Sequence, residues 1–197
     1  MAKSRYTAAS GSSLGRSEIS RARVVVRQSY YWPDQQLNFW IIVMLATGGV
    51  LIGVFASFVN DQQHLRLGIP WIMPFGITVG SLTVIFIWIM LILIYQRRLL
   101  PGVVMLGSFI LLVLYVTGLI ETAIQLFGPD GDISGNCARY VTDHPQTGLT
   151  LNTLAWLEQN SICASWDAAF AFWIIGAVFL VWMIILGSTV ARGGYGD

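Results

Sequence analysis

Four long stretches of the chain carry almost no charge, and short polar segments separate them. The stretches run over about 37–59, 69–95, 100–127 and 166–190. A helix needs about 20 apolar residues to cross a hydrocarbon core of roughly 30 Å, and each stretch meets that length. Hydrocarbon offers no water to a backbone amide, so each segment must pair its own N–H and C=O groups, which a helix does. The pattern predicts an all-α, polytopic membrane protein built as a four-transmembrane-helix bundle. Residues 1–29, rich in Ser, Gly and Arg, cannot bury enough apolar surface to offset their ordering entropy and read as a disordered tail. The transmembrane domain then covers 30–192, and 193–197 form a second tail.

The ends of the stretches carry their own signals. Tyr30, Tyr31 and Trp32 precede the first, and Trp71, Tyr95 and Trp166 mark other ends, where amphipathic rings favour the headgroup zone. Pro70 and Pro101 fit first turns, where a missing N–H costs nothing. Pro74 lies deeper and predicts a kink in the second helix. The links are unequal. Residues 60–68 form a short loop, and 96–99 a tight turn that makes helices two and three antiparallel neighbours. Residues 128–165 form one sizeable segment. Within it Leu151, Leu154 and Leu157 recur at helical spacing, so 150–160 reads as a short separate helix. It serves either as a lid on the bundle or headgroups or as a docking surface.

Composition sharpens this picture. Hydrophobic residues make up 55% of the chain and charged residues only 11%, against about 25% charged in soluble domains. The net charge of +1 says little, but its placement says much. Lys3, Arg5, Arg16, Arg21, Arg23, Arg27, Arg97, Arg98 and Arg192 fall on one side of the predicted bundle, and only Arg66 and Arg139 on the other. The positive-inside rule then puts both termini in the cytoplasm, with the 128–165 segment outside. The expected setting is the plasma membrane or the secretory pathway. Arg16, Arg21, Arg23 and Arg27 are candidates for contact with anionic cytoplasmic lipids, at about 1 kcal/mol per near-surface charge. Nearby serines would weaken that attraction if phosphorylated. The first apolar run is too long for a secretory signal, and Ala2 is not the glycine that N-myristoylation requires.

Few residues carry chemistry. Cys137 and Cys163 share the second outer loop, on the oxidising side, and read as a disulfide that staples it. A redox or metal pair is the alternative. The run Asp130-Gly131-Asp132-Ile133-Ser134-Gly135 mimics half of a calcium loop, but Val141 stands where the bidentate Glu belongs. Glu121 is the one carboxylate inside an apolar run away from its first turn, with Thr117 and Gln125 one turn to either side. This intramembrane polar stripe is expected to face into the bundle, as an ion or proton site or as a hydrogen-bonded helix end. Gly49 with Gly53, and Gly76 with Gly80, form GxxxG seams for close helix packing, within the bundle or against a partner. No His pair lies in the membrane to hold haem, and no nucleophile–base pair, phosphate loop or CxxC occurs. No enzyme activity, cofactor, metal or nucleic-acid partner is expected.

The layout resembles that of MARVEL-type tetraspan proteins: four helices, cytoplasmic ends, a small first outer loop and a larger second one with a cysteine pair. More specifically it is similar to MARVEL-like membrane proteins of filamentous fungi. The stretches that carry this are LGIPWIMPFGITVG, LLPGVVMLGSFILLVLYVTGLIETAIQLFG, LNTLAWLEQNSIC and SWDAAFAFWIIG. The claudin pattern fails, because its Trp and paired Cys belong between helices one and two, and the tetraspanin CCG is missing. The resemblance implies membrane apposition, vesicle traffic or organisation of membrane domains, and it transfers no active-site residues. The expected role is a non-enzymatic organiser, scaffold or accessory subunit. Its partners would be lipids and other integral membrane proteins or further copies of itself. A small oligomeric channel or transporter along Thr117, Glu121 and Gln125 is the alternative.

Overall fold

The computed structural model describes residues 32–64, 66, 68–96, 100–128, 132–142 and 151–193. Arg16, Arg21, Arg23 and Arg27, and the serines beside them, lie outside the described residues. Helix α1 spans Asp34–His64, α2 Ile72–Tyr95, α3 Pro101–Phe127, α4 Ile133–Cys137 and α5 Leu151–Ala191. A single π-helical turn, Ala138–Thr142, continues α4.

Local chemistry sets these bounds. Pro33 and Asp34 open α1: the Leu37 amide bonds the Pro33 carbonyl at 3.1 Å, and Asp34 places a negative charge in the first turn. Pro101 opens α3 at its first position. Pro74 produces no mid-helix break. It is the third residue of α2, within the turn whose amides have no intrahelical acceptor, so its missing N–H is free of cost there. Hydroxyls inside the spans turn back onto their own helices. Thr47, Thr83, Thr117 and Thr122 donate to the carbonyls of Val43, Val79, Val113 and Gly118, at 2.7–2.9 Å. A hydroxyl that bonds four residues back leaves no unpaired donor in hydrocarbon.

Helices α1, α2, α3 and α5 are each long and apolar enough to cross a membrane, and at most 33% of each apolar window is buried inside the chain. The remaining faces are bulky and apolar, as with Ile85, Trp88 and Ile92 on α2, or Leu106, Phe109 and Ile120 on α3. Water cannot cover such surfaces, so the chain is an integral membrane protein. The helices pack as a ring in which α1 meets α2 and α5, and α3 meets α2 and α5. The closest pairs are α1 with α2 and α3 with α5. The chain neighbours α2 and α3 touch more lightly. Buried positions on α3 fall at Val104, Ser108, Leu111, Tyr115, Gly118 and Thr122, alternating steps of four and three. That repeat is the knobs-into-holes register of a left-handed bundle.

Large side chains fit against glycines at these contacts. Tyr115 of α3 lies over Gly176 of α5, and Trp173 of α5 lies over Gly118 of α3. Each helix thus supplies one ring and one glycine, three residues apart, and the antiparallel partner supplies the complement. Phe86 fills the space over Gly107, and Phe55 the space over Gly76. Where α1 crosses α2, Gly48 and Gly80 bring the backbones together. A Cβ on Gly80 would lie 2.9 Å from the Gly48 carbonyl, and one on Gly48 3.2 Å from the Gly80 carbonyl. Apolar burial between helices gains little over contact with lipid, so this close fit supplies much of the association energy.

Two expectations about helix length change. The first helix continues past 59 to His64 and takes up part of the expected loop 60–68. The fourth begins at Leu151, not Trp166, and is one helix of 41 residues, about 60 Å long. Residues 151–160 are therefore no separate lid but the first turns of the fourth long helix, carried about 20 Å beyond Trp166.

The glycine contacts predict opposite outcomes at two sites. Gly176→Ala drives a methyl into the Tyr115 ring and should cost about 1–3 kcal/mol, lowering the thermal midpoint by roughly 3–10 °C. Gly53→Ala, whose added methyl meets nothing within 4 Å among the described residues, should leave it unchanged or slightly higher. Thermal unfolding of both variants in one detergent checks this.

Candidate functional site

Three regions hold the residues singled out from the sequence, and the structure sets them apart from one another. The first is the polar stripe of α3. Thr117 is exposed, and Glu121 and Gln125 are half-buried. The buried line of α3 runs instead through Tyr115, Gly118, Thr122 and Leu126. The stripe therefore does not face into the bundle; it lies on the flank of α3, beside the packed line. The phase of the helix decides this: with 100° per residue, Gly118 and Thr122 take the inward face and turn Thr117 and Glu121 away.

The second region is the glycine seams. Gly76 and Gly80 are buried against α1, but the residue that meets Gly80 is Gly48. Gly49 and Gly53 are exposed, with nothing within 4 Å of an added Cβ among the described residues. Between Leu45 and the end of the span, every exposed residue of α1 up to Asn60 is small or polar: Ala46, Gly49, Gly53, Ala56, Ser57 and Asn60. The other three spans expose large apolar side chains along much of their length, such as Leu82 and Ile85 on α2, Ile120 and Ile124 on α3 and Ile174 and Val178 on α5. This notch on α1 is a distinctive lipid-facing surface of the bundle.

The third region is the end of the bundle that carries the cysteines. Cys137 at the end of α4 is bonded to Cys163 in α5, with Cα atoms 6.0 Å apart across a sequence separation of 26. A second tie lies beside it: the Trp156 indole N–H donates to the Val141 carbonyl at 2.9 Å. Together they hold α4 and the π turn against the protruding part of α5. Between them lies a groove of about 210 Å³, walled by Ile133, Asn136, Cys137 and Val141 on one side and Gln159, Ile162 and Cys163 on the other. Asp132, the described acidic residue of the calcium-like run, caps α4 by accepting the Gly135 amide at 2.8 Å. Its carboxylate thus serves the helix N-terminus. Val141 is buried in this contact. Among the described residues no group of three His, Cys, Asp or Glu side chains is placed to hold a metal ion.

Sequence reasoning missed the polar and aromatic centre of the core. Trp173 and Tyr115 are fully buried, with rings 5.1 Å apart at 77°. Phe55 and Phe75, from α1 and α2, flank Trp173 at 6.1 and 6.3 Å. Thr83 of α2 lies 3.1 Å from the Tyr115 hydroxyl. The Thr83 proton goes to Val79, so its free lone pairs accept from Tyr115. This bond joins α2 to α3, the more lightly packed neighbours. Nearer the other end, the indole N–H of Trp40 donates to the Phe179 carbonyl at 2.8 Å and joins α1 to α5. A signal for these residues was present. Trp and Tyr belong near headgroups, so Trp40 and Tyr115 deep inside apolar runs are candidates to turn inward for a hydrogen-bond partner, although Trp88 on α2 stays exposed. The Ser108 hydroxyl and the Trp173 indole N–H are buried without a hydrogen-bond partner among the described residues.

No family model, curated protein or solved structure matches this chain.

The core makes a paired prediction. Tyr115→Phe and Thr83→Val should each lower stability, and a double-mutant cycle in detergent should give a coupling of about 0.6–1.7 kcal/mol. Ser108→Ala should hold or raise the thermal midpoint, because it removes a buried hydroxyl that has no partner. A marked loss of stability in Ser108→Ala would show that this hydroxyl is bonded after all.

Proposed function

We propose that the chain is a non-enzymatic tetraspan organiser of the membrane that works by binding another integral membrane protein or a second copy of itself. The observation that carries this reading is the notch on α1. A span that meets only lipid gains nothing from a face of Ala, Gly and Ser, whereas a partner helix gains close backbone approach there. The stapled extension of α5 adds an ordered surface beyond the lipid, as a scaffold or accessory subunit needs. The closely packed rings of Trp40, Tyr115 and Trp173 argue against a polar path through a single copy. A conduit past Glu121 would have to run between copies. The MARVEL-like resemblance belongs to the same reading, with membrane apposition, traffic or domain organisation as the setting.

The sidedness proposed with it puts both termini in the cytoplasm and the disulfide end outside, in the plasma membrane or secretory pathway. It rests on the nine-to-two split of Lys and Arg. Arg16, Arg21, Arg23 and Arg27 would then lie against anionic lipid.

The test is purification from native membrane in mild detergent with mass measurement. The wild-type chain should carry a protein partner or a second copy. Gly49→Leu with Gly53→Leu should lose it by at least about tenfold, with an unchanged thermal midpoint. A wild-type chain that runs alone, or a double variant that keeps its partner, would remove this reading. Epitope tags at either end should be unreachable from outside intact cells.

A further inference from the structure

We infer that the lipid-facing belt of the bundle is built for a thick bilayer: it fits a hydrocarbon layer of about 33 Å, made by long acyl chains, and outruns a thin one of about 27 Å. The dimensions of the four spans lead there. On α2 the exposed rings of Trp71 and Tyr95 bound the apolar face, and on α3 the exposed Leu100 and Phe127 do so. On α1 the exposed Asn38 and Asn60 bound it, and on α5 the exposed Asp167 and Arg192. The axis between these marks is roughly 33, 36, 40 and 38 Å long in α1, α2, α3 and α5 respectively.

Contacts between the helices bring the marks to shared levels. At the cysteine end, Trp166, next to Asp167, stacks on Phe58 of α1, just below Asn60. Phe127 of α3 meets Phe170 of α5 there. Phe55 of α1 lies over Gly76 of α2, and Asn60 and Trp71 stand equally far beyond that contact. At the other end, Phe86 over Gly107 and Met105 against Gly187 bring Tyr95, Leu100 and Arg192 to matching depth. Asn38 stops about a turn and a half short of Tyr95, counted from the crossing of Gly48 and Gly80. A bundle with common rims cannot thin its belt by leaning, because one side rises as the other sinks. A tilt of each helix by about 20° shortens the belt only by about a twentieth, to roughly 31–38 Å. In a thin bilayer a turn or more of bulky apolar side chains would stand among headgroups. At the cysteine end those are Trp71, Ile124 and Phe127. Glu121 does not set that rim, because Ile120, Ile124 and Phe127 are exposed beside it and beyond it. Each ångström of mismatch carries a modest cost, so acyl chain length is what the belt reads. The inference concerns the lipid around α2, α3 and α5, and it holds whatever partner meets α1.

The full chain is reconstituted at low protein density in vesicles of dimyristoleoyl, dioleoyl or dierucoyl phosphatidylcholine. These bilayers share one headgroup and one fluid phase and increase in thickness in that order. Thermal unfolding is followed by tryptophan fluorescence. The midpoint should be highest in the dierucoyl bilayer, lower by at least about 4 °C in the dioleoyl one, and lower again in the dimyristoleoyl one. Trp71→Gln with Ile124→Gln and Phe127→Gln cuts back the rim at the cysteine end. Its optimum should move to the dioleoyl bilayer, whatever stability the variant loses in all of them. If the variant does not fold, the order of the wild-type midpoints alone decides. The inference falls if the wild type is most stable in either thinner bilayer, if its midpoint ignores chain length, or if the triple variant keeps the dierucoyl optimum. None of these outcomes touches the partner test, which is read by mass in detergent.

Discussion

Lipid cannot hydrogen-bond, and it is as apolar as leucine. From these two facts follow both how the helices form and how they recognise one another. Each buried Thr bonds its own helix, Tyr115 finds Thr83, and Trp40 finds a carbonyl on the neighbouring span. Once the polar groups are paired, apolar contact between helices is worth little more than contact with acyl chains. Shape must then supply the preference, and the pairing of Tyr115 with Gly176 and Trp173 with Gly118 is how α3 and α5 acquire it. The same logic joins α1 to α2 through Gly48 and Gly80, where backbone meets backbone.

Seen this way, the outward face of α1 and the inward faces share one vocabulary. Small residues appear wherever something must come close. Inside the bundle that something is a ring or a neighbouring helix. On the outside of α1 it has no counterpart among the described residues, and that is the reason for proposing the protein as one member of a larger assembly. The disulfide end follows a different rule, because water returns there. There a covalent bond and an indole hydrogen bond tie the described residues 132–142 to α5, alongside the packing of Ile133 against the core.

The helical fold was largely legible, because the need for about 20 apolar residues per crossing is a strong constraint. The limits of α3 were read almost to the residue. The disulfide partners were legible too, as the chain holds two cysteines on one predicted side. Helix faces were not. In a span where nearly every position is apolar, an inward Leu111 and an outward Ile110 look alike, so no periodicity shows which side is packed. That is why the GxxxG spacing of Gly49 and Gly53 did not show that Gly48 makes the contact with α2, and why Glu121 was expected to face the bundle when it lies on its flank. The length of α5 was hidden for the opposite reason: Glu158 and Gln159 lower hydropathy while keeping good helix propensity, so the apolar run stops where the helix does not.

A helix without a break has no joint. From Leu151 to Ala191 the backbone of α5 is a single hydrogen-bonded helix, and Cys137 of α4 is bonded to it at Cys163. The protruding tip and the shaft that carries Trp173 are thus one continuous element, so a load placed on the first is passed along unbroken helix toward the second.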